Sequence, residues 1–385
     1  MVKGMKQTEI GLIPEDWEVR ELGEVGAVRM CKRIFQHQTV EYGEIPFFKI
    51  GTFGKEPDAF ISRKLFEEFK TKFSYPKVGD ILISAAGTIG RTVVYDGEER
   101  YYQDSNIVWI DNEEHIISNH LLKYVLDIVS YNTEGGTIQR LYNNILRSTK
   151  FVCPPLPEQE AIAGALSDAD AWIESLEQLI AKKRMIKQGA MQELLTPKEG
   201  WEVKKLGEVF KLKQGVQCGV EKQFKNHSKG LVRFIRIVDV TQSNTEARFI
   251  SDPGIEHRLN FNDLFMVRYG APGVVGFNYE GVIANNLFRL IPKREIVNSY
   301  FKYLFDFMKP TLEEISSSST MAALNFTTLN NVDLSFPSLI EQTRIATILS
   351  DMDADLAALE QQLHKARQIK QGMMQELLTG RVRLV

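Results

Sequence analysis

The chain has 385 residues, 43% hydrophobic and 25% charged, which is room for two or three domains with their own cores. Its formal net charge of -3 excludes the blanket basicity of a simple electrostatic nucleic-acid binder, so any such contact must rest on local clusters. Cys31, Cys153 and Cys218 are too few and too scattered for a disulfide framework or a zinc spacing. Residues 1–9 lack the apolar stretch of a signal peptide, and no apolar run reaches membrane-spanning length. These features point to a reducing cytoplasm and to no membrane segment.

Read from the start, the chain soon meets itself again. Trp17-Glu18-Val19-Arg20-Glu21-Leu22-Gly23-Glu24-Val25 returns as Trp201-Glu202-Val203-Lys204-Lys205-Leu206-Gly207-Glu208-Val209, a step of 184. Leu156-Pro157-Glu158-Gln159 returns as Leu339-Ile340-Glu341-Gln342, and Met191-Gln192-Glu193-Leu194-Leu195-Thr196 as Met374-Gln375-Glu376-Leu377-Leu378-Thr379, both at a step of 183. A period this long is a tandem duplication of a globular unit plus a helix, not a solenoid. The reading in chain order is a first domain over 1–156, a long helix over 157–196, a second domain over 197–338 and a C-terminal helix over 339–385.

Within the first domain, Asp80-Ile81-Leu82-Ile83, Thr92-Val93-Val94-Tyr95 and Ile107-Val108-Trp109-Ile110 predict strands around a Gly87-Thr88-Ile89-Gly90 turn. The second domain repeats the scheme with Asp263-Leu264-Phe265-Met266, Val274-Val275-Gly276-Phe277 and Asn286-Leu287-Phe288-Arg289-Leu290, around Gly270-Ala271-Pro272-Gly273. Along the first helix Ile162, Leu166, Ala169, Ile173, Leu176 and Ile180 step by four and three. Ile345, Leu349, Met352, Leu356, Leu359 and Leu363 step identically along the second. This is a coiled-coil seam, and about 40 residues of helix reach roughly 60 Å. A seam cannot be buried alone, and the other copy in the same chain is the natural partner. Copies related by a two-fold would run antiparallel. Trp17 and Trp201 read as packing anchors. Trp172 stands beside the seam, where a purely solvated face would rarely carry it.

No nucleotide-binding, dinucleotide or zinc-protease motif is present, and Cys153-Pro154-Pro155 lacks the Asn-Pro-Pro-aromatic run of amino-methyltransferases. A catalytic site in this chain is therefore not expected. Two basic clusters remain, at matching places in the repeat. The first holds Arg29, Lys32 and Arg33, with His37 beyond. The second holds Lys211, Lys213, Lys222, Lys225, Lys229, Arg233 and Arg236, interleaved with Gln214, Gln217, Gln223 and Asn226. Arg91 and Arg268 flank the glycine turns. Arg and Lys suit phosphate or guanine, and Gln suits adenine; the alternative is a solvated loop. The candidate DNA-binding residues are Arg29, Lys32, Arg33, Arg91, Lys213, Gln214, Gln217, Lys222, Lys225 and Arg268. The candidate seam is Ile162, Leu166, Ile173, Leu176 and Ile180 with Ile345, Leu349, Leu356, Leu359 and Leu363.

The duplicated Trp-Glu-Val openings, the Pro155-Leu156-Pro157-Glu158-Gln159 run and the closing Leu377-Leu378-Thr379-Gly380 resemble the specificity (S) subunit of type I restriction–modification systems. The resemblance covers nearly the whole chain. It implies an α+β protein with two mixed α/β target-recognition domains, joined by two long antiparallel, coiled-coil-like helices with an internal pseudo-two-fold repeat. It implies a non-catalytic subunit whose domains each read one half of a bipartite site on double-stranded DNA, while the helices set the spacing. Two methyltransferase (M) subunits would carry S-adenosylmethionine for adenine methylation, and restriction (R) subunits would cleave DNA with ATP and Mg. Two features depart from the family's pattern: Ile340 stands where the first repeat has Pro157, and the first domain is net acidic. A protein-binding two-armed scaffold and an enzyme with an unfamiliar site are the competing readings.

Overall fold

The computed structural model describes residues 4–131, 140–242, 245–316 and 323–384. The chain forms two compact units. The first is Met1–Leu176 with Gln362–Val385, and the second is Glu177–Gln361. This division cuts both long helices, so each unit combines one globular domain with part of each helix.

The first unit is built on an antiparallel sheet of β1 (Gly26–Arg29), β2 (Ile81–Ser84), β3 (Thr92–Val94) and β4 (Ile107–Asn112), in the order β1-β4-β2-β3. The run Ile81-Leu82-Ile83 is buried throughout because the sheet separates two cores. Alternation sends Ile81, Ile83, Val108 and Ile110 to one core and Leu82, Ile107 and Trp109 to the other. Full burial of each such side chain stabilises by roughly 1.5–3 kcal/mol. The first core is roofed by α1 (Asn119–Ile128), whose start is capped by the Ser118 hydroxyl accepting from the Leu121 N–H. The other is aromatic, with Phe47, Phe48, Phe66, Tyr101 and Trp109, and it holds a small sheet of Ile45–Phe48 between Phe60–Ile61 and Tyr101–Tyr102.

The first long helix, α2 (Leu156–Leu195), begins where the Leu-Pro-Glu-Gln motif predicts. The motif acts as a latch. Gln159, 1% exposed, accepts from the Ser118 N–H at 2.9 Å and donates to the Ile116 and Pro154 carbonyls. Its neighbour Glu158 accepts from the Trp17 indole N–H at 2.8 Å. Trp17 is fully buried, as an anchor should be.

The second unit repeats the frame. Strands β5 (Phe210–Gln214), β6 (Leu264–Val267), β7 (Val275–Gly276) and β8 (Leu287–Pro292) form a sheet in the equivalent order, β5-β8-β6-β7. Leu264, Met266, Phe288 and Leu290 face one core; Phe265, Val267 and Leu287 face the other. Helix α3 (Asn298–Phe307) roofs the first of these through Tyr300, Phe301 and Leu304. The second long helix, α4 (Leu339–Leu377), carries the same latch: Gln342 accepts from the Val297 N–H at 3.0 Å and donates to the Pro337 carbonyl at 2.9 Å. Helix α4 starts at the matching residue without Pro157's counterpart, so the glutamine, not the proline, is the shared element. Trp201 is only half-buried, against the second unit's core.

The heptad stripe divides between two tasks. Ile162 and Leu166 belong to the first domain's core, together with Leu377 and Leu378 from the end of α4 and the turn after it. Ile345 and Leu349 belong to the second domain's core, with Leu195 from the end of α2. Further along, Leu176 and Ile180 are buried, and Ile173, Leu356, Leu359 and Leu363 are half-buried. The stripe is therefore domain core at each helix start. The spacing does not reveal this, because a helix packed on a domain and one packed on a helix show the same period. Helix α4 ends at Leu377, short of residue 385. The tail turns at Gly380, in the left-handed region at φ +71°, where a Cβ would lie 2.4 Å from Pro14 Cδ.

Each unit contains its own polar junction between its segments of the two long helices. In the first, Asp170 on α2 accepts from Lys370 on α4 at 2.5 Å and from the Tyr124 hydroxyl at 2.9 Å, with Lys123 at 3.7 Å. In the second, Asp353 on α4 pairs with Lys187 on α2 and accepts from the Tyr303 hydroxyl at 2.7 Å, with Lys302 at 3.9 Å. Burial pushes both carboxyls up, but the lysine and tyrosine hydrogen bonds outweigh it and hold them below the ordinary range.

Candidate nucleic-acid interface

The first cluster sits at the end of β1 and in the loop beyond it. Arg29 is exposed and lies 3.4 Å from Asp111, which Lys77 also reaches at 3.2 Å. Arg33 bonds Asp104 at 2.9 Å. Lys32 lies over the Phe73 ring, 5.1 Å from its centroid, and the exposed His37 stacks on Phe35. Arg91 is half-buried and donates to the Phe53 carbonyl at 2.7 Å, tying the turn of Gly87 and Gly90 to the neighbouring loop. Its bonding is that of a loop clamp. These residues share one domain but do not converge on a single point; each is held by its own partner.

Cys31, just before this loop, is buried among Tyr101, Tyr102 and Trp109, and burial pushes its thiol up to about 12. Cys153 is pushed up to about 11 by burial. Both are core residues with thiols far from ionised at neutral pH.

The second cluster is more convergent. Gln214 ends β5 and Arg268 follows β6, and the Arg268 Nη1 donates to Gln214 Oε1 at 3.3 Å. Lys213 donates to the Glu256 carbonyl at 2.7 Å. Gln217, Lys222 and Lys225 are exposed on the loop after β5, Lys222 in the short turn Val220–Lys222, and Lys225 lies 3.6 Å from Glu246. Arg233 and Arg236 do not belong with them: both bond the buried Asp239 carboxylate, at 2.8 and 2.9 Å. Burial pushes that carboxyl up, but Arg236, Arg233 and Thr245 together hold it well below the usual carboxylate range. Their charge is spent inside the domain.

Sequence reasoning missed Tyr269 and Phe326, whose rings lie 4.8 and 4.6 Å from the Arg268 guanidinium. Nothing in local spacing joins residues 268 and 326. It also missed the Asp170 and Asp353 junctions, although these aspartates lie one repeat apart and were legible as a matched pair. Among the described residues no group of His, Cys, Asp and Glu is arranged to hold a metal, and no helix is long and apolar enough to cross a membrane.

A family model described as the type I restriction modification DNA specificity domain matches twice, over residues 14–182 and 198–370. The chain belongs to this family. It is a specificity subunit with two copies of the domain, as the sequence resemblance implies. A putative type I restriction enzyme specificity subunit of Haemophilus influenzae is 57% identical over 165 residues, 43% of this chain and 43% of the relative. The putative MjaX specificity subunit of Methanocaldococcus jannaschii is 25% identical across 99% of this chain and 97% of its own length. The crystal structure of an S subunit from M. genitalium shares the fold, with a TM-score of 0.63, 16% identity and coverage of 94% of this chain and 96% of that one.

Proposed function

We propose that this chain is the non-catalytic DNA sequence-specificity subunit of a type I restriction–modification enzyme, each domain reading one half of a bipartite site. The carrying observation is one frame used twice with different loops. The two sheets have equivalent strand order, yet β1 ends in Arg29 and leads to Lys32 and Arg33, while β5 ends in Lys213 and Gln214. Base contacts carry sequence and phosphate contacts carry register, so variable polar loops on a fixed frame are what a two-part reader requires.

The long helices act as the spacer, running antiparallel as a coiled-coil-like pair. The junction lysines support this reading: moving from Asp170 to Lys187 along α2 corresponds to moving back from Lys370 to Asp353 along α4. The helices also dock two M subunits, which bring S-adenosylmethionine; R subunits bring ATP and Mg. Leu179, Met185 and Ile186 are exposed on α2 and suit such docking. The test is to co-express the chain with its M subunit and map methylated adenines across a genome. The expected result is one motif of two fixed half-sites around an unread gap. Sequence-independent methylation, or a single uninterrupted site, would overturn the proposal.

A further inference from the structure

We propose that Arg268 reads a guanine in the half-site served by the second domain and that Gln214 is its positioning residue. The inference rests on the specificity-subunit reading and assigns the base chemistry of one half.

Arg268 differs from the other candidate arginines in how it is held. Arg29 and Arg33 face carboxylates, and Arg91 serves a backbone carbonyl of its own domain. The Arg268 guanidinium has aromatic rings beside it, Tyr269 and Phe326. Its Nε donates to the Leu324 carbonyl at 3.2 Å and its Nη1 to Gln214 Oε1. Gln214 is itself fixed, since its Nε2 donates to the Asn285 carbonyl at 2.7 Å and so turns its oxygen toward the arginine. Among the described residues no carboxylate pairs with Arg268, so its charge is not neutralised within the cluster. The group is half-buried, not enclosed.

This arrangement holds a planar fork before any ligand arrives. The two rings confine the guanidinium, and its two hydrogen bonds restrain its rotation. The ordering cost of a long side chain is then met by folding and not by binding. A phosphate also accepts from a guanidinium fork, but it carries no base identity and a lysine binds it as a point charge without one. Two coplanar acceptors make full use of the fork, and the guanine N7 and O6 edge in the major groove presents that pair.

The device belongs to one half only. One repeat earlier the positions of Gln214, Arg268, Tyr269 and Phe326 hold Met30, Ala85, Ala86 and Asn143. The backbone there is equivalent: the Ala85 N–H donates to the Asn106 carbonyl as the Arg268 N–H donates to that of Asn286. The same frame position thus carries a guanidinium in one domain and a methyl group in the other.

The test uses the chain assembled with its M subunit. Methylation mapping gives the motif, and competition binding uses the cognate duplex and duplexes changed one base pair at a time. Arg268→Ala should weaken cognate binding about tenfold to hundredfold and remove the preference for G·C at one position of one half-site. The other half-site should be unchanged. Arg268→Lys keeps the charge and loses the fork; it should bind with the salt dependence of the parent but without that G·C preference. Gln214→Ala should reduce the same preference partly and leave all others. Thermal unfolding of Arg268→Lys near the parent value separates reading from folding. Equal weakening on every sequence with a shallower salt dependence would make Arg268 a phosphate contact and overturn the proposal. So would half-sites without guanine, or full G·C preference in Arg268→Lys. A parent complex with no bipartite motif would instead refute the specificity-subunit reading itself.

Discussion

Replacing Arg383 by alanine should destabilise the first unit by about 3–4 kcal/mol. Arg383 lies beyond α4 and donates from Nε to Glu158 at 2.6 Å and from both terminal nitrogens to Asp16 at 2.9 and 2.8 Å. Its guanidinium lies 5.6 Å from the Trp17 ring centroid. The Glu158 side chain is 1% exposed, so removing the arginine strands a buried carboxylate. Breaking such a pair costs about 3–5 kcal/mol, and the remaining Trp17 hydrogen bond places this case at the lower end. Asp16 is more than half exposed, and its share is at most about 1 kcal/mol. In a unit of about 200 residues, each kcal/mol moves Tm by about 2–4 °C, so the fall should be near 10 °C. Calorimetry on the parent, Arg383→Ala, Glu158→Gln and the double variant gives both the loss and the coupling. A fall below about 2 °C, or additive effects in the double variant, would refute the reasoning.

Gln342→Ala should cost about 2–3 kcal/mol, because it leaves the Val297 N–H and the Pro337 carbonyl without their partner; thermal unfolding and amide exchange at Val297 read it. Asp239 has a folded-state carboxyl held below its ordinary value, so its contribution is complete above about pH 4 and is lost as pH falls below that. Denaturation at pH 5 and pH 3 should show this loss in the parent and not in Asp239→Asn. Leu176→Asp with Leu359→Asp should abolish binding of the M subunit through charge in an apolar stripe, and a native gel showing normal assembly would dismiss the spacer model. Inserting a second Gln-Glu-Leu-Leu at the end of α2 adds one turn of about 6 Å and should lengthen the unread gap by a base pair or so without altering either half-site; an unchanged gap at full activity counts against the helices as ruler.

The frame was legible because its signals are local. Strands read at 80–83 and 107–110 are found at Ile81–Ser84 and Ile107–Asn112, and a helix read at 157–196 is found at Leu156–Leu195. What escaped depends on distant pairing. The Phe47–Tyr101 ladder, the Asp170–Lys370 bond and the Arg268–Phe326 cation–π contact join residues that no window contains together. Arg233 and Arg236 show the opposite failure: Asp239 stands three residues after Arg236, and an i,i+3 pair was readable, but its burial was not. The latch glutamines were visible as a repeated motif, yet only the structure shows that the motif serves the starts of α1 and α3.

The division between what repeats and what does not carries the functional argument further. The latches, the Asp–Lys–Tyr junctions and both sheets recur at nearly one spacing, and all concern how a domain is seated on its helices. The residues that differ are those at the end of β1 and β5 and after β2 and β6, where Met30 faces Gln214 and Ala85 faces Arg268 across the repeat. Seating depends on buried hydrogen bonds, which tolerate little change because an unpaired partner costs the full desolvation penalty. Reading depends on exposed or half-exposed groups, where substitutions away from such bonds usually cost within about 0.5 kcal/mol. A chain built this way can change the bases it reads in one half without moving the other half or the gap between them. That separability follows from where the buried polar groups lie, and it is the property a two-part DNA reader needs.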